Sequence, residues 1–421
     1  MNHTILIMRG EFTMETMRKI GKVKRGLKRF SGFLKILIAW IYLNLFKRNL
    51  LRDDIWIIRE KKDEARDNGY YFFSYLREKH PEINAYYIIS MNSPDLDKVL
   101  QYGNIIKANS FQHCVYYLAA KYSISSQQFG AFPFSFRSKE LLYIGKLCNT
   151  EQKVVFLQHG IIQNFLSSGL CYDNCNIDFF ICSAPKEYQY IKDVYKYPEH
   201  AIGCVGLARF DNLYKNDDSD KVVLIMPTWR KWLACSMLNN IPTHAEKEKF
   251  LKSNFYKEFT AVLEDKELLE YLKNKKYKIV FYLHYKFQGF CKLFFCYNND
   301  VVTIASKEKF DVQQLLKSSK VLVTDYSSVY FDFAYMNKPT VYFQFDKTEF
   351  EKGHYSEGYF SYENDGFGPC CKTKEEFKEL LINIIENDCK QPEKYEQRVK
   401  DFFCFHDNKN CERTFLAIKN L

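Results

Sequence analysis

Residues 320–336 read KVLVTDYSSVYFDFAYM, and the fold follows from what that run must become. Val321 to Thr324 form a short run with no solvated face, so it belongs in a buried parallel strand. The turn Asp325-Tyr326-Ser327-Ser328 then leads into an aromatic helical stretch. Strand, polar turn and helix in that order make half a βαβ unit, whose turn lies at the carboxyl edge of the sheet. A helix N-terminus offers unpaired backbone N–H groups and partial positive charge. The hydroxyls of Ser327 and Ser328 therefore suit phosphate oxygens, although plain helix capping uses the same geometry.

The same pattern surrounds this run. KVVLIMPTWR, KIVFYLHY, VVTIAS and KPTVYFQF are short apolar runs with helical segments such as FDVQQLLKSS between them, the alternation of a doubly wound sheet. Upstream, NGYYFFSYLREKHPEINAYYIIS predicts a helix from about Tyr70, a stop at Pro81 and a strand ending near Ser90. NIIKAN, KYSISS and KVVFLQHG continue an α/β layer with a mainly parallel sheet. The polar run KNDDSDK around Asp217 has nothing to pack and reads as a linker. The expected organisation is a segment at 1–52, an α/β domain at 53–216, a second at 221–400, and a C-terminal helix at 401–421 returning to the first domain.

Each strand ends in groups able to do chemistry. KVVFLQHG ends in His159 and Gly160; an imidazole can act as a base near neutral pH, and a glycine lets a ligand approach closely. KIVFYLHY ends in His284, and MPTWR carries Thr228 and Arg230. Histidine, arginine and a serine-rich helix start at one sheet edge form an anion pocket suited to a pyrophosphate.

Composition narrows the function classes. With 421 residues, 31 Tyr and 37 Phe, the chain can bury two cores and is not disordered. Its net charge of +10 is concentrated near the N-terminus, at Arg18, Lys19, Lys22, Lys24, Arg25, Lys28, Arg29, Lys35, Lys47, Arg48 and Arg52. Within that stretch FLKILIAWIYLNLF, residues 33–46, is apolar but shorter than the roughly 20 residues that cross a bilayer. It is expected to lie on an anionic membrane surface, with packing against the protein's own core as the alternative. That predicts a peripheral protein at the cytoplasmic face, since no secretory signal is evident. Basic residues interleaved with such a run, rather than with a stacking platform, argue against a nucleic-acid partner. The 14 cysteines lack paired CxxC spacing and are expected to be reduced.

The strings HG, GLARFDNL, MPTWR, LH, FDVQQLL, VTDYSSVYFDF, KPTVYF and ENDGFGP, in that order from about Asn68 onward, resemble the CDP-glycerol glycerophosphotransferase family of teichoic acid and capsule polymerases. The resemblance implies a GT-B-like fold, two Rossmann-like domains with a cleft between them. The implied reaction is attack by a hydroxyl of a polymer or lipid-linked acceptor on the β-phosphorus of CDP-glycerol or CDP-ribitol, releasing CMP. It makes His159 the candidate base and places His284, Ser327 and Ser328 on the donor's phosphates. Gly160, Thr228, Arg209, Arg230, Asp311, Asp325 and Asp332 complete the implied donor-binding set, with Asp211 in GLARFDNL and His406, Asp407 and Arg413 in a similar terminal motif. Two departures bear on donor and acceptor: HGIIQNF lacks the lysine many relatives carry after His-Gly, and His284 is followed by Tyr285 rather than proline. No DxD pair follows a strand of the second domain, so no tightly bound cofactor is expected, with room for a loosely held Mg2+. Competing expectations are a nucleotide-sugar glycosyltransferase on the same fold and a non-catalytic membrane-surface protein.

Overall fold

A computed structural model describes residues 30–134, 151–214, 219–235, 241–353 and 358–421. The basic residues from Arg18 to Arg29 and the centre of the acidic run at Asp217 lie outside the described residues. Among those described, thirteen strands form a seven-stranded and a six-stranded sheet. The chain separates into two compact units, one of residues up to Phe156 with Cys175–Asp178, the other of Leu157–Asn174 with Phe179–Leu421.

The first unit holds β1 (Ile55–Arg59), β2 (Asn84–Ile89), β3 (Ile105–Lys107), β4 (Tyr122–Ser125) and β5 (Lys153–Phe156), paired in parallel in the order β3-β2-β1-β4-β5. The helix Asn68–Lys79 begins two residues before Tyr70 because the Asp67 carboxylate accepts the Asn68 N–H. It ends at His80, ahead of Pro81.

Residues 30–46 form a helix. Ile36, Ala39 and Leu43, at spacings of three and four, are buried against Ile55, Ile57, Ile88 and Cys114. Leu34, Ile38, Ile41 and Leu45 lie on another face and are 44–69% exposed. This helix therefore both packs on its own core and leaves an apolar face uncovered. No helix among the described residues is long and apolar enough to cross a membrane.

In the second unit β6 (Phe179–Cys182) pairs in parallel with β7 (Ile202–Cys204). The six-stranded sheet contains β8 (Val222–Ile225), β9 (Lys278–Tyr282), β10 (Val302–Ala305), β11 (Val321–Thr324), β12 (Thr340–Phe343) and β13 (Cys370–Cys371). Its order is β10-β9-β8-β11-β12-β13, all parallel. Because β8 lies between β9 and β11, the turns after these three strands share one edge. Val223, Phe259, Phe281, Val323 and Phe343 anchor the core beneath them.

The terminal helix Asn410–Lys419 docks on the turn Ala208–Asn212. The Asp211 carboxylate accepts the N–H groups of Asn410 and Cys411 at 2.7 and 2.8 Å, capping that helix from a distant part of the chain. One expectation is corrected: Cys204 and Cys404 are joined as a disulfide. Their separation of 200 residues hides the pairing from any reading of local spacing.

Candidate functional site

The site is built on the turn after β11. Asp325 is fully buried, and its Oδ1 accepts the N–H of Tyr326 at 2.6 Å and that of Thr228 at 2.8 Å. Its Oδ2 lies 2.8 Å from Nη2 of Arg230. Arg230 also grips Asp346 with two hydrogen bonds of 2.6 and 2.9 Å and donates to its neighbour, the Thr228 carbonyl, at 2.6 Å. Burial opposes the guanidinium's charge, but Asp325 and Asp346 outweigh it and hold the pKa above its ordinary value. With 0% exposure, Arg230 and Asp325 face inward. Their geometry clamps the β8 turn to the β11 turn and leaves neither side chain open to solvent.

Ser327 and Ser328 are half-buried. Ser328 is the first flanking residue of the helix Val329–Tyr335, yet its side chain makes no capping bond. Plain capping therefore does not account for this hydroxyl. A Cβ placed on Gly160 would come within 3.1 Å of Ser328 Oγ and 3.9 Å of Arg209 Nη2, so the His159–Gly160 turn sits directly against the serine turn.

Three side chains hold that turn. Arg209 makes a bidentate pair with Asp332 at 2.6 and 2.8 Å, and its Nη1 donates to the His159 carbonyl at 3.0 Å. Gln158, at φ 62°, donates to Glu187 Oε1 at 3.0 Å, and the same oxygen accepts the Ile162 N–H at 2.7 Å. Glu187 Oε2 accepts the Ser183 N–H at 2.8 Å. Burial pushes the Glu187 carboxyl up to about 7 despite these donors. The His159 side chain itself is exposed.

His284 follows β9, and its Nδ1 accepts the Lys286 N–H at 3.3 Å. Its ring stacks on Trp229 with centroids 6.2 Å apart. Asp311 caps the helix Val312–Ser318, accepting the N–H groups of Gln313 and Gln314 at 2.9 and 3.2 Å. The helix it caps reaches the site through Gln313, whose Nε2 donates to Asp332 at 3.1 Å. His406 and Asp407 precede the docked terminal helix and Arg413 lies on it: Arg413 pairs with Asp407 at 2.7 and 2.9 Å, and His406 Nε2 lies 2.7 Å from the Tyr335 carbonyl.

The structure thus brings His159, Gly160, Arg209, Asp332 and Ser328 into one cluster, and Thr228, Arg230 and Asp325 into a second that shares the β11 turn. His284 stands at the same sheet edge with Trp229. Sequence reasoning missed Glu187, Asp346 and Lys286. Glu187 sits in the first turn of the helix Pro185–Asp193, where a carboxylate looks like an ordinary dipole partner. No group of three or more His, Cys, Asp or Glu side chains among the described residues is placed to hold a metal ion.

Parallel sheets with phosphate-compatible turns at the strand ends are the architecture of nucleotide-dependent Rossmann-like enzymes. The wall teichoic acid polymerase TagF has this fold: it superposes with a TM-score of 0.62 at 18% identity, covering 93% of this chain and 98% of that one. The family described as CDP-Glycerol:Poly(glycerophosphate) glycerophosphotransferase matches residues 41–420, and the chain belongs to that family. The minor teichoic acid biosynthesis protein GgaB of Bacillus subtilis is 32% identical over 409 residues, 97% of this chain and 44% of GgaB. A teichoic acid poly(glycerol phosphate) polymerase of the same bacterium is 30% identical over 194 residues, 44% of this chain and 22% of the polymerase. The chain therefore spans less than half the length of these relatives.

Proposed function

We propose that this chain transfers glycerol phosphate, or a related polyol phosphate, from a CDP-linked donor to a hydroxyl of a surface polymer or its lipid-linked primer. In this reading the acceptor oxygen attacks the β-phosphorus, the bond from that phosphorus to the bridging oxygen breaks, and CMP leaves with the electron pair. His159 takes the acceptor's proton, and His284 with the hydroxyls of Ser327 and Ser328 donates hydrogen bonds to the phosphates. Phosphoryl transfer asks little of a protein beyond such positioning and charge compensation.

The observation that carries this proposal is the contact of Gly160 with Ser328. It puts the turn bearing the candidate base against a serine hydroxyl left uncommitted by its own helix. Arg209, Asp332, Arg230, Asp325, Thr228 and Asp311 act in this reading by holding the turns rather than by touching the donor. Any Mg2+ would arrive with the donor's phosphates, and chelator titration of the turnover rate tests that. Incubation with CDP-glycerol, CDP-ribitol and common nucleotide sugars tests the reaction itself. CMP release from a CDP-polyol is the predicted result; nucleoside diphosphate release from a sugar donor would replace the proposal with glycosyl transfer.

The exposed face of helix 30–46, next to Lys35, Lys47 and Arg48, supports peripheral attachment to an anionic membrane at the cytoplasmic face. Apolar burial and basic side chains near anionic headgroups add in such an attachment.

A further inference from the structure

At the edge shared by the β8, β9 and β11 turns, Lys286 Nζ lies 3.5 Å from the centre of the Trp229 ring. Trp229 in turn stacks on His284 at an interplanar angle of 20°, and the Lys286 N–H is held by His284 Nδ1. The β8 turn that carries Trp229 is fixed by the Thr228 N–H on Asp325. A lysine, an indole and an imidazole are thus locked to the turn that presents the two serines.

Lys286 is half-buried and forms no ion pair with a carboxylate among the described residues. Burial lowers its pKa from the ordinary lysine value. An aromatic face offsets only part of the hydration an ammonium gives up on burial, so a cation in this setting is suited to an anionic ligand. Ligands of doubly wound sheets bind at this carboxyl edge, where the donor's diphosphate is the anion at hand.

Resting on the reading of the chain as a CDP-donor transferase, we infer that Lys286, held on the Trp229 indole beside His284, is a further donor-binding residue that contacts a phosphate of the donor. The contact is a charge-assisted hydrogen bond between an ammonium and a phosphate oxygen, with no covalent step.

The test is calorimetric titration of CDP into the full chain as wild type, Lys286→Met and Lys286→Arg, with thermal unfolding followed in parallel. Lys286→Met keeps the aliphatic stem on the indole and should weaken CDP about tenfold or more, the size of a charged hydrogen bond. Lys286→Arg should restore most of the affinity. In turnover, Lys286→Met should raise the donor KM more than it lowers kcat.

Unchanged CDP affinity in a folded Lys286→Met would overturn the inference and leave the transferase reading intact. No CDP binding by the wild type would remove both. A short glycerol phosphate oligomer titrated separately distinguishes the phosphate source, because weakened oligomer binding with CDP unaffected would reassign Lys286 to the acceptor and overturn the proposal. Should Lys286→Met fail to fold, lysine acetylation of the wild type read by mass spectrometry decides. CDP should protect Lys286, and equal labelling with and without CDP would contradict the assignment.

Discussion

Arg209 and Asp332, 123 residues apart, form a buried bidentate pair at 2.6 and 2.8 Å, and the same guanidinium holds the His159 carbonyl. The helix that carries the serine turn is thereby tied to the turn that carries the candidate base. Removing one partner of a buried pair leaves an uncompensated charge, typically about 3–5 kcal/mol. Asp332→Ala should therefore lower the thermal unfolding midpoint by several degrees and abolish turnover. Arg209→Lys, which keeps the charge but not the fork, should fold and still lose most activity. Calorimetry and CMP release on the same preparations check both.

Gly160→Ala probes the contact between the two turns. The new Cβ would come within 3.1 Å of Ser328 Oγ, so one turn must shift by a few tenths of an ångström. The expected result is a loss of about tenfold or more in kcat/KM, about 1.4 kcal/mol, with little change in stability. In a Ser328→Ala background the clash is gone, and adding Gly160→Ala should cost less. A double-mutant cycle in kcat/KM measures this coupling, and strict additivity would mean the two turns act independently.

Glu187 makes stability depend on pH. Its folded pKa of about 7 lies above the usual 4.5 because of burial. The protonated form is thus favoured by folding, and its contribution is full below about 4.5 and is lost as pH rises through about 7. The slope cannot exceed about 1.4 kcal/mol per pH unit for one proton. Urea midpoints measured from pH 4.5 to 8 should fall for the wild type and fall less steeply for Glu187→Gln.

Membrane attachment is tested on the exposed face of helix 30–46. Ile38 and Leu45 are 49% and 69% exposed, and each side chain gains up to about 1.5–3 kcal/mol on full burial. Ile38→Glu with Leu45→Glu should weaken partition onto anionic vesicles by about a hundredfold or more and leave unfolding unchanged. Binding equal to the wild type in vesicle sedimentation would exclude this face.

What the sequence disclosed was decided by distance along the chain. The strand-turn-helix at 320–336 and its neighbouring apolar runs were legible because period and turn chemistry are local. The central strand β1, IWIIR, was not singled out, since five residues just beyond the basic segment carry no flanking turn of their own. Arg230 at a strand end looks the same in sequence whether it faces a ligand or the interior. Its inward direction is fixed by Asp346, 116 residues further on. The disulfide partner of Cys204 and the clamp on the His159 carbonyl are non-local in the same way. The serine turn was placed correctly, but that Ser328 would not cap its helix depends on backbone angles that composition does not specify.

The most direct test of the central claim is release of CMP from CDP-glycerol by the wild type and by His159→Ala and Ser327→Ala with Ser328→Ala, with CDP affinity measured alongside. The account predicts CMP release by the wild type. It predicts a loss of at least about a hundredfold in His159→Ala with CDP binding retained, and weakened CDP binding in the double serine variant. Undiminished turnover in all the variants, or nucleoside diphosphate release from a sugar donor instead of CMP, would contradict it.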